Sequence, residues 1–173
     1  LEKIIDSGNV IESKALNNII SLDREKGFSA LYWLAASKTG SIILEKIINN
    51  GVTIDSKTLN HIIDQEGTWK GSSVLYGLSY SGKKGHRILQ KMIDRGARVY
   101  DKTLNHIIDQ DGPLKGESVL HKLSWSSTGR SILYMMMRLG VMIDGKSITT
   151  KTIINLFQSK DLANVLARNP CIR

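Results

Sequence analysis

The residues of this chain best suited to specific chemistry are its four histidines, its one cysteine and its serines. His61 and His106 stand 45 positions apart in a shared context, Lys-Thr-Leu-Asn-His-Ile-Ile-Asp-Gln. Folding that brought them together could begin a zinc site, which needs about four ligands converging at roughly 2.0–2.1 Å. Cys171 does not join them, and Asn18 replaces the histidine in an earlier, degenerate copy of the block, Lys14-Ala15-Leu16-Asn17-Asn18-Ile19-Ile20. His61 and His106 are therefore expected to be surface or hydrogen-bonding residues, and no metal is expected. Asn60 and Asn105 are read in the same way, as amides that bond backbone between repeated units.

His121 invites reading as a general base, but Tyr32 and Tyr76 occupy the equivalent positions of two earlier blocks. A catalytic base would not be exchangeable with tyrosine, whereas a structural hydrogen-bonding role would. The serines lie in no Gly-x-Ser-x-Gly elbow, and no phosphate loop, His-Glu-x-x-His or Gly-x-Gly-x-x-Gly pattern is present. No enzymatic activity and no cofactor are expected within these residues.

The aromatic residues carry more information. Trp33 follows Tyr32, and Tyr80 and Trp125 share one position in their units, equivalent to Ala36. Lys38, Lys83, Lys84, Lys122 and Arg130 lie near them in sequence. Trp, Tyr and Arg dominate binding hot spots, so an aromatic and basic groove reads as a partner-binding surface. Packing of the same rings between units, as core, is the alternative. Trp69 sits at a loop tip, either as an exposed anchor or folded back on its own unit. The expected contact set is Trp33, Tyr80, Trp125, Lys84, Lys122 and Trp69.

These residues sit in a repeat. Leu1-Glu2-Lys3-Ile4-Ile5 returns as Leu44-Glu45-Lys46-Ile47-Ile48, as Leu89-Gln90-Lys91-Met92-Ile93 and as Leu133-Tyr134-Met135-Met136-Met137, at intervals of 43 to 45 residues. Glycines follow at a near-constant offset: Gly8, Gly51, Gly96 and Gly140. A further block reads Gly27-Phe28-Ser29-Ala30-Leu31-Tyr32, Gly71-Ser72-Ser73-Val74-Leu75-Tyr76 and Gly116-Glu117-Ser118-Val119-Leu120-His121. A period of this length marks stacked units that share one continuous core. The units run about 1–26 (partial), 27–70, 71–115 and 116–160, with 161–173 as a C-terminal cap, all in one domain. The start in mid-unit at Leu1 points to a piece of a longer protein.

Three helices fit each unit. The first spans Ala30–Ser37, with Ser29, Ser73 and Ser118 as N-caps. The second lies near Ser41–Asn50, closing on a left-handed Gly51, and likewise on Gly96 and Gly140. The third spans Ser56–Gln65, with Leu59, Ile62 and Ile63 on one face and Ser13, Ser56 and Asp101 as N-caps. Asp161–Asn169 reads as a closing helix. Tyr134, Met135 and Leu139 replace Gln90, Lys91 and Arg95, turning a polar face apolar, which calls for a cover: the Asp161–Arg173 segment, a further C-terminal domain or a partner, with a cover from the same polypeptide favoured.

The block Gly116-Glu117-Ser118-Val119-Leu120-His121-Lys122-Leu123-Ser124 resembles the ankyrin signature Thr-Pro-Leu-His-x-Ala. The run Ile88-Leu89-Gln90-Lys91-Met92-Ile93-Asp94-Arg95-Gly96-Ala97-Arg98-Val99 is similar to the ankyrin second-helix ending. The signature proline is replaced by Ala30, Val74 and Val119, and the extra length falls where ankyrin units carry a hairpin finger. The resemblance implies an all-α ankyrin-like solenoid with an extra short helix in each finger, over roughly residues 1–145. It implies binding of another protein through a concave groove and finger tips. Long degenerate arrays of this kind resemble those of effectors that intracellular bacteria secrete into host cells. A host protein with an acidic surface, met in a host cytoplasm or nucleus, is the partner so implied.

Composition sets the outer bounds. An apolar share of 41% is too high for a disordered chain, and no apolar run approaches the roughly 18 residues of a membrane span. A single cysteine excludes an intrachain disulfide and suits a reducing, intracellular compartment. No basic stretch followed by an apolar core of about 7–15 residues opens the chain, so no signal peptide is visible. The net charge is +8, rising from 0 over residues 1–43 to +2, +2 and +4 over 44–88, 89–132 and 133–173. An acidic protein or nucleic acid would be steered by it, but positive residues alternate with acids, which favours a solvated basic surface. A noncatalytic protein-binding scaffold is the function expected. A nucleic-acid-binding helical repeat and a targeting module of a larger enzyme are the alternatives.

Overall fold

The computed structural model describes residues 12–19 and 27–144. Their helices are α1 (Ser13–Asn17), α2 (Ala30–Ala36), α3 (Lys38–Asn49), α4 (Ser56–Asn60), α5 (Val74–Tyr80), α6 (Gly82–Asp94), α7 (Asp101–Asn105), α8 (Val119–Ser124) and α9 (Ser127–Arg138). The chain is all-α. The strand-like features among the described residues are isolated antiparallel bridges joining Ile19 to Ser29, Ile62 to Ser73 and Ile107 to Ser118. No helix among these residues is long and apolar enough to cross a membrane.

Serines set the start of each hairpin. The hydroxyls of Ser29, Ser73 and Ser118 accept the N–H groups of Tyr32, Tyr76 and His121 at 3.1, 3.0 and 3.0 Å, satisfying donors that the helix itself leaves open. The second helix begins earlier than the expected Ser41 because Ser37 caps it, accepting from Gly40 N–H at 2.9 Å. Ser126 does the same for Gly129 at 3.0 Å. Glycine is required here by crowding, since a Cβ on Gly85 would lie 2.1 Å from the Leu78 carbonyl oxygen and one on Gly129 2.2 Å from that of Leu123. The second helices end as expected on Gly51, Gly96 and Gly140, whose φ values of +92°, +94° and +91° are left-handed.

The third helices are shorter than expected. α4 stops at Asn60 instead of Gln65, because His61 adopts an extended conformation and Ile63 exchanges backbone hydrogen bonds with the next unit's entry. Ile63 N–H donates to Ser72 at 2.8 Å, and Gly71 N–H donates to Ile63 at 2.7 Å. Leu59 and Ile63 are both buried, while Ile62 is half-buried. A short helix followed by an extended step thus satisfies the same apolar spacing as a long helix. The N-caps also move by one residue. Glu12, Asp55 and Tyr100 hold the cap positions, and Asp55 accepts from Thr58 N–H at 2.7 Å.

The residues expected as those caps do something else. Ser56 Oγ accepts Arg98 N–H at 2.9 Å, and Asp101 Oδ1 accepts Met142 N–H at 2.9 Å. Each bond reaches the loop of the following unit. The asparagines complete the link, as the sequence reading expects. Asn60 Nδ2 donates to Ser56 and Arg98 carbonyls at 2.6 and 2.7 Å, and its Oδ1 accepts Tyr100 N–H at 2.8 Å. Asn105 repeats the pattern with Asp101, Met142 and Asp144 at 2.9, 2.7 and 2.9 Å. Thr58 and Thr103 hydroxyls donate back to the carbonyls of Asn17 and Asn60 at 2.8 and 2.9 Å.

Packing follows the same serial order. α2 pairs with α3, α5 with α6 and α8 with α9. α5 lies between α2 and α8 in one row, and α6 lies between α3 and α9 in the other. α1, α4 and α7 each rest on the first helix of the next hairpin. Leu31, Leu75 and Leu120 from the first row are buried together with Leu44, Leu89 and Leu133 from the second and Leu16, Leu59 and Leu104 from the short helices. The expected closing helix Asp161–Asn169 and cap 161–173 lie outside the described residues.

Asn60→Ala removes the donor to the Ser56 and Arg98 carbonyls and the acceptor of the Tyr100 N–H. It is expected to destabilise the fold by about 2–4 kcal/mol. Asn17→Ala should weigh less, because its bonds to Thr53 and Asp55 are exposed and longer, at 3.4 and 3.2 Å. Gly85→Ala is expected to destabilise by about 3 kcal/mol despite alanine's better helix propensity. Urea unfolding of the three variants checks the order.

Candidate protein-binding surface

The first row of helices carries one wet face. Tyr32, Tyr76 and His121 turn inward and are buried. Tyr32 donates its hydroxyl to Ser72 Oγ at 3.3 Å, in the next unit, which is a structural use of this position. The rings at neighbouring positions turn outward, with Trp33 exposed by 44%, Tyr80 by 62% and Trp125 by 55%. Core packing of these three is thereby corrected in favour of the surface. Trp33 stacks on Phe28 at 5.0 Å and meets Tyr32 edge-on at 5.6 Å. Trp125 donates its indole N–H to His121 Nε2 at 3.1 Å. Both rings are held by their own unit and still present a face to solvent.

Lys122 requires a correction. Expected as a contact residue, it is only 6% exposed. Its Nζ lies 3.0 Å from Glu117 Oε2 and stands over the rings of Trp125 at 4.1 Å and Tyr80 at 5.1 Å. The ammonium is compensated by a carboxylate and two ring faces. Its role is to tie Tyr80 of one unit to Trp125 of the next. Glu117, which the sequence reading passed over, is what makes the burial tolerable.

Trp69 combines both expectations. It folds back on its own unit, edge-on to Tyr32 with ring centres 6.5 Å apart, yet stays 40% exposed. It also walls a hollow of about 260 Å3 with Tyr32, Ala36, Tyr76, Gly77, Tyr80, Pro113 and Leu114. On the other side of Tyr80 a second hollow of about 500 Å3 is lined by Ala36, Lys38, Ser41, Tyr80, Ser81, Gly82 and Lys84. Lys84 is half-buried there. Five of the six expected contact residues thus share this face as surface groups, and Lys122 supports it from beneath.

The apolar swap at Tyr134, Met135 and Leu139 is partly answered from within. Met135 Sδ accepts from Gln90 Nε2 at 2.7 Å, and Leu139 remains 67% exposed. Its expected cover, Asp161–Arg173, lies outside the described residues.

Among the described residues no three His, Cys, Asp or Glu side chains converge as a metal set. His61 and His106 are instead half-buried against the glycines that open the preceding blocks. A Cβ on Gly71 would lie 3.2 Å from His106 Nε2 and one on Gly27 3.5 Å from His61 Nε2. His86, unnoticed in the sequence, is buried. Its Nε2 donates to the Ser79 carbonyl at 3.0 Å, and its Nδ1 faces Ser126 Oγ of the next unit at 3.4 Å. Its equivalents are Ser41 and Arg130, so no repeated letter marked it.

Burial holds His61, His86 and His106 below the usual imidazole range. The folded protein therefore binds these protons less readily than the unfolded chain. Their stabilisation is fully present above the unfolded value of about 6.5 and is lost as pH falls from there through the lower folded values. The urea midpoint is expected to fall between pH of about 7 and 5, and the triple change of His61, His86 and His106 to glutamine should flatten that slope.

Comparison with family models, with curated proteins and with solved structures finds no match for this chain.

Proposed function

We propose that the chain is a noncatalytic scaffold that binds another protein through the outward face of its first helices and the tips beyond its short helices. The observation that carries the reading is the row of exposed rings Trp33, Tyr80 and Trp125 with Trp69 beside it, fixed by ring contacts and by the Lys122 bridge. Exposed aromatic rings on a rigid support lose little entropy on binding and supply hot-spot area. The helical hairpins in series, the left-handed glycines and the serine caps support assignment as an atypical ankyrin-like solenoid of four units in one domain, with a short helix in each finger. In that reading the aromatic face is the concave one.

The resemblance to effector arrays extends the proposal to a host protein as partner, met inside a host cell. The charge surplus is weaker support for a nucleic acid. Lys122 pairs with Glu117, and Arg87 and Lys91 approach Glu45 at 3.8 and 3.3 Å, so several cations are already engaged.

The paired change Trp33→Ala and Trp125→Ala is expected to lower retention of protein partners from host lysate at least roughly tenfold while the helical circular dichroism stays unchanged. Retention of nucleic acid instead, falling steeply with salt, would contradict the proposal.

A further inference from the structure

The repeat supplies its own comparison, and the middle unit departs from both neighbours at two places on the aromatic face. The first is Gly77. Its equivalents are Trp33 and Lys122, so a large side chain is accommodated at this position in the units on either side. Gly77 is the fourth residue of the seven in α5 and does not have a positive φ, so no turn demands it. A glycine inside a helix weakens that helix relative to alanine. Gly77 borders the hollow between Tyr32, Trp69, Tyr76, Tyr80 and Leu114, and a Cβ on it would stand in ordinary contact with Ala36 N and Ala35 at 3.4 and 3.5 Å. The second departure is one residue more in the second helix of the hairpin. α6 has 13 residues where α3 and α9 have 12. Ser81, Gly82 and Lys84 of that region, with Lys38 from the preceding unit, line the second hollow. Both departures border a hollow, and Tyr80 and Ala36 line the two hollows in common.

The chemistry of the two hollows differs. The first is walled by rings, Ala36, Pro113 and Leu114, and the ring of Tyr76 in its wall belongs to a buried phenol whose hydroxyl has no hydrogen-bond partner. Its volume of about 260 Å3 falls below the roughly 300–1,000 Å3 of small-molecule pockets and suits one large apolar side chain. The second has two ammonium groups and no acid in its lining, and among the described residues neither Lys38 nor Lys84 makes an ion pair.

We propose that the middle unit is the specificity site of this surface: the hollow over Gly77 takes an apolar anchor side chain from an acidic segment of a partner protein, and Lys38 and Lys84 across the Tyr80 ring take a carboxylate of the same segment. This rests on the protein-binding reading above and names the partner's chemistry. An apolar anchor in a pocket gives binding energy, and the flanking charge pair selects against basic or uncharged segments.

The test uses the full chain and a phage-displayed library of random dodecapeptides as the probe. The selected peptides are expected to share a large apolar residue with Asp or Glu close by. Gly77→Leu, which refills the hollow, should weaken them at least roughly tenfold, and so should the pair Lys38→Glu and Lys84→Glu. Gly77→Ala provides a milder filling. Its Cβ would meet Ala36 N and Ala35 at ordinary distances of 3.4 and 3.5 Å, so its melting temperature should hold or rise while affinity drops. Peptides without the apolar-acidic pattern, or peptides indifferent to both Gly77 variants, would overturn the inference. If those peptides still depended on Trp33 and Trp125, the protein-binding reading would survive. Failure to select any peptide, or displacement of the peptides by a mixed-sequence single-stranded oligonucleotide, would overturn both.

Discussion

No hairpin among the described residues encloses its own core, and that constraint shapes everything else. Leu31, Leu75 and Leu120 are fully buried only because α2, α5 and α8 lie side by side. Stacked units of this kind draw their stability from the interfaces between neighbours. Apolar contact is non-directional and would tolerate sliding. The asparagine bonds are directional and do not. Asn60 and Asn105 each satisfy backbone groups about 40 residues further along the chain, which fixes the spacing of one unit on the next.

The spacing then determines what the outer face can be. Buried positions such as 31, 75 and 120 repeat closely in type, while the exposed positions 36, 80 and 125 hold Ala, Tyr and Trp. A regular interior thus carries an irregular exterior. Contacts such as the one between Tyr80 and Lys122 exist only because two units stand at a set distance. The surface belongs to the stack and to no single unit.

Much of the architecture was legible from local spacing. The caps Ser29, Ser73 and Ser118 and the left-handed Gly51, Gly96 and Gly140 are decided by neighbours within a few residues, and the structure follows the reading at each. The failures share a physical cause, since each depends on a distant partner. α4 stops early because Ile63 pairs with backbone on the far side of a turn. Ser56 and Asp101 leave capping because loops of the next unit need acceptors. Lys122 reads as a contact residue in the sequence because its burial depends on Tyr80 in another unit as well as Glu117 nearby. Gly77 falls just past the block Gly71–Tyr76, and a glycine beside a hollow has meaning only once its neighbours surround the space.

Side-chain amides lock successive units together. Native-state hydrogen exchange at the Tyr100 and Asp144 backbone N–H groups tests it most directly, since each donates to an asparagine of the preceding unit. Slow exchange at both, with Tyr100 alone losing protection when Asn60 is replaced by alanine, is the result the account requires. Exchange of both protons in the unreplaced protein at the rate of an unstructured chain would contradict it.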